Sequence, residues 1–291
     1  MFCINLCELF NSYFFKNNDF ESFIKYISLS KSQLIERIYL GSSFCSQYFL
    51  GLSNYEHIFS FCTEKNLHIT LTIPVFTEKD IDLGKKKIDE ICKRSMGVID
   101  EITVNDLGML EYFQGNQPYC INLGRLFFKD PRDCRILDYT KRSVSPVLLS
   151  YLNDDYWRNF SFDSVELDPT NLVINTSCIE NTDINVGLHI PYCYMTTGNI
   201  CKFASIHRNV KQKFRPNMQC DMECVHIYDS YSGHIEQTNC DPTLIRYGRT
   251  LYFEVDSSVE LVGKEASRVI YFPINEWRKF VNENIGSFKQ S

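Results

Sequence analysis

The chain lacks any uninterrupted apolar run approaching the roughly 18 residues of a membrane-spanning helix. Its start, MFCINLCELF, has no basic lead and carries Asn5 and Glu8, so neither a signal peptide nor a transmembrane helix is expected, and the corresponding location is cytoplasmic. Gly/Ser linkers, low-complexity breaks and internal repeats are also missing, which predicts a single domain over residues 1–291. Two catalytic signatures are absent as well: the H-E-x-x-H of zinc peptidases and the G-x-S-x-G nucleophile elbow. The cysteines and histidines cannot be ordered into a dyad from sequence, so nothing in the residues supports proteolysis. A broad nucleic-acid surface is disfavoured by a formal net charge of −6. The local basic stretch KQKFR at 211–215 reads as a solvated charged loop, with phosphate contact the lesser reading.

What is present is apolar bulk and sulfur. With 44% hydrophobic and 14% aromatic residues, 291 positions are enough to bury a large core. Short β-branched runs alternate with helical patterns. LIERIYL (34–40), LHITLTIP (67–74), DEITVND (100–106), YCINLG (119–124), DSVELDP (163–169) and NVGLHIP (185–191) read as strands. Between them, Ser53 and Glu56 form a capping-box pattern opening one helix, a second starts near Thr77 with Ile81, Ile88 and Ile91 on one side, and LGMLEYF makes a short third. Strands separated by helices imply parallel pairing. The economical α/β architecture is a (β/α)8 TIM-type barrel, irregular or incomplete, with a C-terminal cysteine-bearing segment; an open doubly wound sheet is second.

In either fold, the loops leaving the C-terminal strand ends build the site. Those exits carry Gly41 to Cys45, Asn105, Asp106, Asn122, Arg125, Glu166, Asp168 and His189, which together outline a polar pocket mouth. Helix capping is an equal reading for Asn105 and Asp106, a surface or cap-bonded carboxylate for Glu166, and a hydrogen-bonded core imidazole for His189.

Thirteen cysteines in a reducing compartment argue for free thiols rather than disulfides. Burial as small hydrophobes suits Cys62, Cys92, Cys120 and Cys178, which lie in apolar patterns. It does not suit CKFASIHRNVKQKFRPNMQCDMEC (201–224), where Cys201, Cys220 and Cys224 sit among charged residues within a cysteine-rich stretch at 193–240. Cys220 and Cys224 are spaced so that one helical turn or a compact loop places both sulfurs on one side. Two metal readings stay open: a local zinc site on Cys193, Cys201, Cys220 and Cys224, or an iron-sulfur cluster that borrows a distant cysteine.

YLGSSFCSQ (39–47), VNDLGMLEYF (104–113), SVELDP (164–169), CKF (201–203) and the Cys220/Cys224 pair occur in an order that resembles the collagenase-like peptidase family U, number 32. The nearest look is to its iron-sulfur UbiU and UbiV branch, which supports oxygen-independent hydroxylation in ubiquinone biosynthesis. The similarity runs over about residues 35–255. It implies a β/α barrel holding a 4Fe-4S cluster on Cys45, Cys201, Cys220 and Cys224, with Cys193 as the alternative fourth ligand. It also implies a small-molecule substrate held near Glu166, Asn105 and His189, an electron donor, and pairing with a related family member. The alternative function is a non-catalytic, metal-stapled scaffold subunit; peptidase and RNA-modifying activities rank below both. The chain departs from the family pattern in three places: an obscure first strand, a longer gap between Cys201 and Cys220, and Leu188, His189, Ile190 and Pro191 in place of the usual turn.

Overall fold

The computed structural model describes residues 1–9, 19–115, 118–128, 149, 152, 154–169, 173–216, 218, 220–225, 228–231, 244–255 and 259–288. The chain opens with β1 (Phe2–Asn5), α1 (Asp19–Lys31), β2 (Arg37–Gly41), α2 (Ser46–Leu50), α3 (Glu56–Lys65) and β3 (His68–Thr72). It continues through α4 (Ile81–Arg94), β4 (Ile99–Val104), α5 (Leu107–Tyr112), β5 (Cys120–Leu123), β6 (Ser164–Leu167), β7 (Ile174–Asn175) and β8 (Asn185–Ile190). The last part holds β9 (Tyr192–Thr197), β10 (Tyr228–Tyr231), β11 (Leu244–Tyr247), β12 (Thr250–Glu254), β13 (Leu261–Val262), β14 (Arg268–Tyr271) and α6 (Ile274–Phe288). No helix among the described residues is long and apolar enough to cross a membrane.

Eight strands close into a barrel in the order β1-β14-β8-β6-β5-β4-β3-β2, every pair parallel. The barrel is irregular. Helices follow β1, β2, β3, β4 and β14, whereas among the described residues the connection after β5 holds 3-10 turns at Arg125–Phe128 and Trp157–Asn159, and the one after β6 holds β7 and a 3-10 turn at Ser177–Ile179. The cysteine-bearing segment is not C-terminal to the barrel. It is inserted between the seventh barrel strand, β8, and the eighth, β14, and folds onto an antiparallel sheet ordered β10-β11-β12-β9. β7 and β13 form a separate parallel pair. The part of 193–240 beyond residue 231 lies outside the described residues.

Three local expectations are corrected. α3 begins at Glu56 itself, with Tyr55 at the N-cap and no side-chain cap bond, so Glu56 occupies the first helical position and the Ser53 box cannot form. The next helix starts at Ile81, where Asp80 is the N-cap; Thr77 donates its hydroxyl to the Asp80 carboxylate at 2.8 Å, and only Ile88 and Ile91 of the three isoleucines are fully buried. Cys120 is exposed at the start of β5 and Cys178 is half-buried in a 3-10 turn, while Cys62 is buried and Cys92 partly so.

Parallel strands buried on both faces usually read as continuous apolar runs. Here the outward faces supply the apolar core, with Ile38, Leu40, Ile69, Leu71, Ile102 and Val104 buried, and the inward face is polar. At its N-terminal end Arg268 grips Glu101 with two bonds of 2.6 and 3.0 Å and reaches the Tyr39 hydroxyl at 3.2 Å. Thr70 and Asn122 donate to the same Glu101 carboxylate at 2.9 and 3.1 Å. Such a plug fixes register, because a one-residue slip would turn every one of these groups into the apolar shell.

Candidate metal centre and barrel mouth

β2 ends at Gly41, whose φ is +115° and whose Cα lies so close to the Thr72 carbonyl that an added Cβ would sit 2.2 Å from the oxygen. Only glycine fits there, and the turn it allows leads into the loop presenting Cys45. Buried Glu8, just past β1, organises that loop: its carboxylate accepts the Ser42 hydroxyl at 2.5 Å and the Phe44 amide at 3.1 Å. Ser42 Oγ in turn accepts the Cys45 amide at 2.8 Å. Cys45 sits at the N-cap of α2 in an extended conformation, just before the first turn of that helix.

The Cys45 sulfur faces the inserted segment. Cys45, Cys201, Cys220 and Cys224 all line one small cavity, partly open to solvent, together with Tyr48, Phe203, Arg215, Gly248 and Arg249. Cys224 lies in the 3-10 turn Glu223–Val225 and Cys220 in the loop before it. Arg249 ties the two halves together. It follows Gly248 in the two-residue hairpin between β11 and β12, and its Nε donates to the Phe44 carbonyl at 2.8 Å, with Nη2 on the same oxygen. The Tyr247 hydroxyl also donates to the Glu8 carbonyl oxygen. One hairpin therefore clamps the loop that carries Cys45 against the strands that follow the later cysteines.

Burial dominates the electrostatics. It pushes the Cys45 thiol up to about 11 against the opposing Arg249 charge, raises Cys220, and raises Cys224 well above the usual thiol range, with Cys45, Cys201 and Cys220 adding like-charge repulsion. Ionising Cys45, Cys220 and Cys224 together would call for cations to neutralise them. Among the described residues no three His, Cys, Asp or Glu side chains are grouped closely enough to hold a single metal ion.

Cys193 lies elsewhere. β9 pairs with β12 so that Cys193 stands opposite Phe253, and its side chain is buried against Phe253 and Val255, with its thiol donating to the Tyr194 carbonyl at 3.6 Å. It does not line the thiol cavity. The chain matches no family model, no curated protein and no solved structure.

Inside the barrel mouth, Glu166 and His189 meet. Glu166 Oε2 lies 3.0 Å from His189 Nε2, and Oε1 accepts the Thr103 hydroxyl at 2.6 Å; both side chains are only 2% exposed. Burial first, then the nearby Arg125 charge, lowers the His189 pKa, although Glu166 pulls the other way. A neutral ring donating from Nε2 to the carboxylate has Nδ1 as an acceptor, and Nδ1 has no hydrogen-bond partner among the described residues.

Asn105 is occupied differently. Its amide donates to the Ile73 carbonyl at 2.9 Å and accepts the Leu126 amide at 3.4 Å, and it packs so tightly on Gly124 that an added Cβ there would meet it at 2.4 Å. Asp106 caps α5, accepting the Met109 amide at 2.9 Å. Arg125 binds Asp168 through Nε at 2.6 Å and also through Nη2, donates to the Tyr192 carbonyl at 2.9 Å, and is ringed by Phe44, Tyr194 and Tyr252 at 5.4–5.9 Å. Sequence reading missed Glu8 and Arg249. The hairpin signal YGRT between two β-branched runs was available for the second; nothing local marks the first.

Proposed function

We propose that the chain is an iron-sulfur protein in which Cys45, Cys201, Cys220 and Cys224 hold a 4Fe-4S cluster beside a barrel mouth that binds a small molecule for oxygen-independent hydroxylation or a related redox modification. The observation carrying this reading is the shared cavity: one thiol from the loop after β2 and three from a segment more than 150 residues later line the same wall, clamped by Arg249. The donor set is all sulfur, which suits a cluster. A single zinc ion is the alternative occupant and would need the sulfurs drawn to about 2.3 Å from the metal and so about 3.8 Å from one another. When bound, such a cluster supplies one-electron transfer.

The chain's own residues have separable tasks. Arg249 offsets part of the negative charge that four thiolates introduce. Glu166 accepts from Thr103 and orients His189, whose Nδ1 accepts a hydrogen bond from a substrate hydroxyl or N–H. Asn105 and Asp106 hold strand exits in place.

Anaerobic purification followed by iron, sulfide and zinc analysis tests the cluster. A brown protein with about four irons and four sulfides per chain is the expected result; colourless protein with stoichiometric zinc would reject it. Glu166→Gln separates enzyme from scaffold. The expected outcome is full iron content with turnover reduced about 100-fold or more, in line with loss of a positioned proton-handling group. Unchanged activity of a complex containing the variant would assign the chain to the non-catalytic scaffold reading.

A further inference from the structure

Between Ile184 and Cys220 the chain contains no Asp or Glu, yet carries Lys202, Arg208, Lys211, Lys213 and Arg215, in a protein whose formal net charge is −6. This charge asymmetry coincides with an apolar one. Ile200, Ile206, Val210 and Phe214 are exposed, Val210 at 86% and Phe214 at 57%. Scattered surface hydrophobes need no explanation, but here four fall within fifteen residues of one segment that also carries five cations. Phe214 has a further peculiarity: its φ is +56°, a left-handed conformation costly for a bulky aromatic, while Ser205 Oγ accepts its backbone amide at 3.0 Å. The fold holds a large apolar ring in water at a conformational cost.

Along the chain these exposed residues alternate with the cavity wall. Cys201 and Arg215 belong to the cavity wall, and Ile200 and Phe214 are their chain neighbours on the exposed side. We infer that this face is the docking surface for a small acidic one-electron carrier protein, which delivers one electron at a time to the cluster. This inference rests on the cluster reading above. In the step itself the reduced carrier loses one electron and the oxidised cluster gains one, with no bond made or broken. A small apolar centre rimmed by cations is what a transient redox encounter uses, since such interfaces are at the small end of the size range and rely on charge complementarity for speed. A nucleic acid is the weaker fit, because its extended phosphate backbone would also meet the acidic remainder of the protein.

The test uses the cluster-loaded full chain under anaerobic conditions, with a reduced plant-type ferredoxin as the acidic probe and photoreduced deazaflavin as a small uncharged donor. Stopped-flow bleaching of the cluster gives the rate with each. The expected result is a ferredoxin rate that falls with salt and drops about 10- to 100-fold in Lys211→Glu/Lys213→Glu, while the deazaflavin rate is unchanged; Val210→Ser, at a largely exposed position, weakens ferredoxin binding without altering the fold. Equal ferredoxin rates in the wild type and the double variant would overturn the inference. So would tighter, lysine-dependent binding of a poly-U oligonucleotide than of ferredoxin. Binding of oxidised ferredoxin to the metal-free chain is measured in parallel. If iron analysis finds no cluster, the function reading fails there, and lysine-dependent ferredoxin binding decides the docking surface separately.

Discussion

Replacing Cys45 with alanine is expected to take the iron content from about four per chain to below about one, with loss of the brown colour, while the far-ultraviolet dichroism of the barrel is retained. Position 45 sits in a loop whose shape is set by other side chains. Its backbone is held by Ser42, and Glu8 and Arg249 hold the neighbouring Phe44, so the loop keeps its shape without the sulfur. The direct stability cost is that of deleting one partly buried sulfur, about 1 kcal/mol. A larger fall in melting temperature is expected only when cluster-loaded wild type is the reference, because metal binding to the folded state adds its own free energy to folding. Cys193→Ala is the matched control. It removes a buried sulfur packed on Phe253 and Val255, so it should lower stability by a similar amount and leave iron content intact. The reverse pattern, iron retained in Cys45→Ala and lost in Cys193→Ala, would move the fourth ligand to β9 and require that strand to turn over.

The contrast between these two cysteines shows where sequence reading ends. Both sit in apolar contexts near polar exits, and spacing alone allows either to join Cys201, Cys220 and Cys224. Long-range pairing decides their placement: the Cys193–Phe253 register on the antiparallel sheet directs one side chain away, and barrel closure brings the other in. The barrel itself was more legible. Six of its strands follow β-branched runs with helices or turns between them, and position along each strand named Glu166 and His189 as neighbours of the mouth. β1 was hidden because its inward residue Cys3 and its end residue Asn5 break the apolar run. β14 was hidden because a long insertion separates it from the alternating pattern and because Arg268 begins it. A polar barrel interior is difficult to foresee, since each of its charges looks like a surface residue until its partner is known.

That interior also carries the second large effect. Arg268→Met is expected to destabilise the protein by about 3–5 kcal/mol, the usual cost of leaving one member of a buried ion pair without its partner. The stranded group is Glu101, 10% exposed on its side chain, which would retain Thr70, Asn122 and a 3.5 Å approach from Arg37 but lose both bonds from Arg268. In the wild type, burial alone would raise the Glu101 pKa; the bonds and charge of Arg268, with Arg37 and Asn122 behind it, overcome that and hold it at about 2, against 4.5 for a free glutamate. A carboxyl with a depressed folded-state pKa contributes stability that is complete above about pH 4.5 and is lost as pH falls toward 2, worth about 3 kcal/mol in all by linkage. The stability difference between the wild type and Glu101→Gln, followed by denaturant unfolding at a series of pH values, should therefore be largest near neutrality and shrink below pH 4.5. Acid release of any cluster affects both proteins alike and cancels in that difference. An offset of the same size at pH 7 and pH 3 would mean that the ionised carboxylate is not what anchors β4 to β14. The double variant Arg268→Met/Glu101→Gln should recover much of the loss, because a neutral amide beside a thioether leaves no unpaired charge inside the barrel.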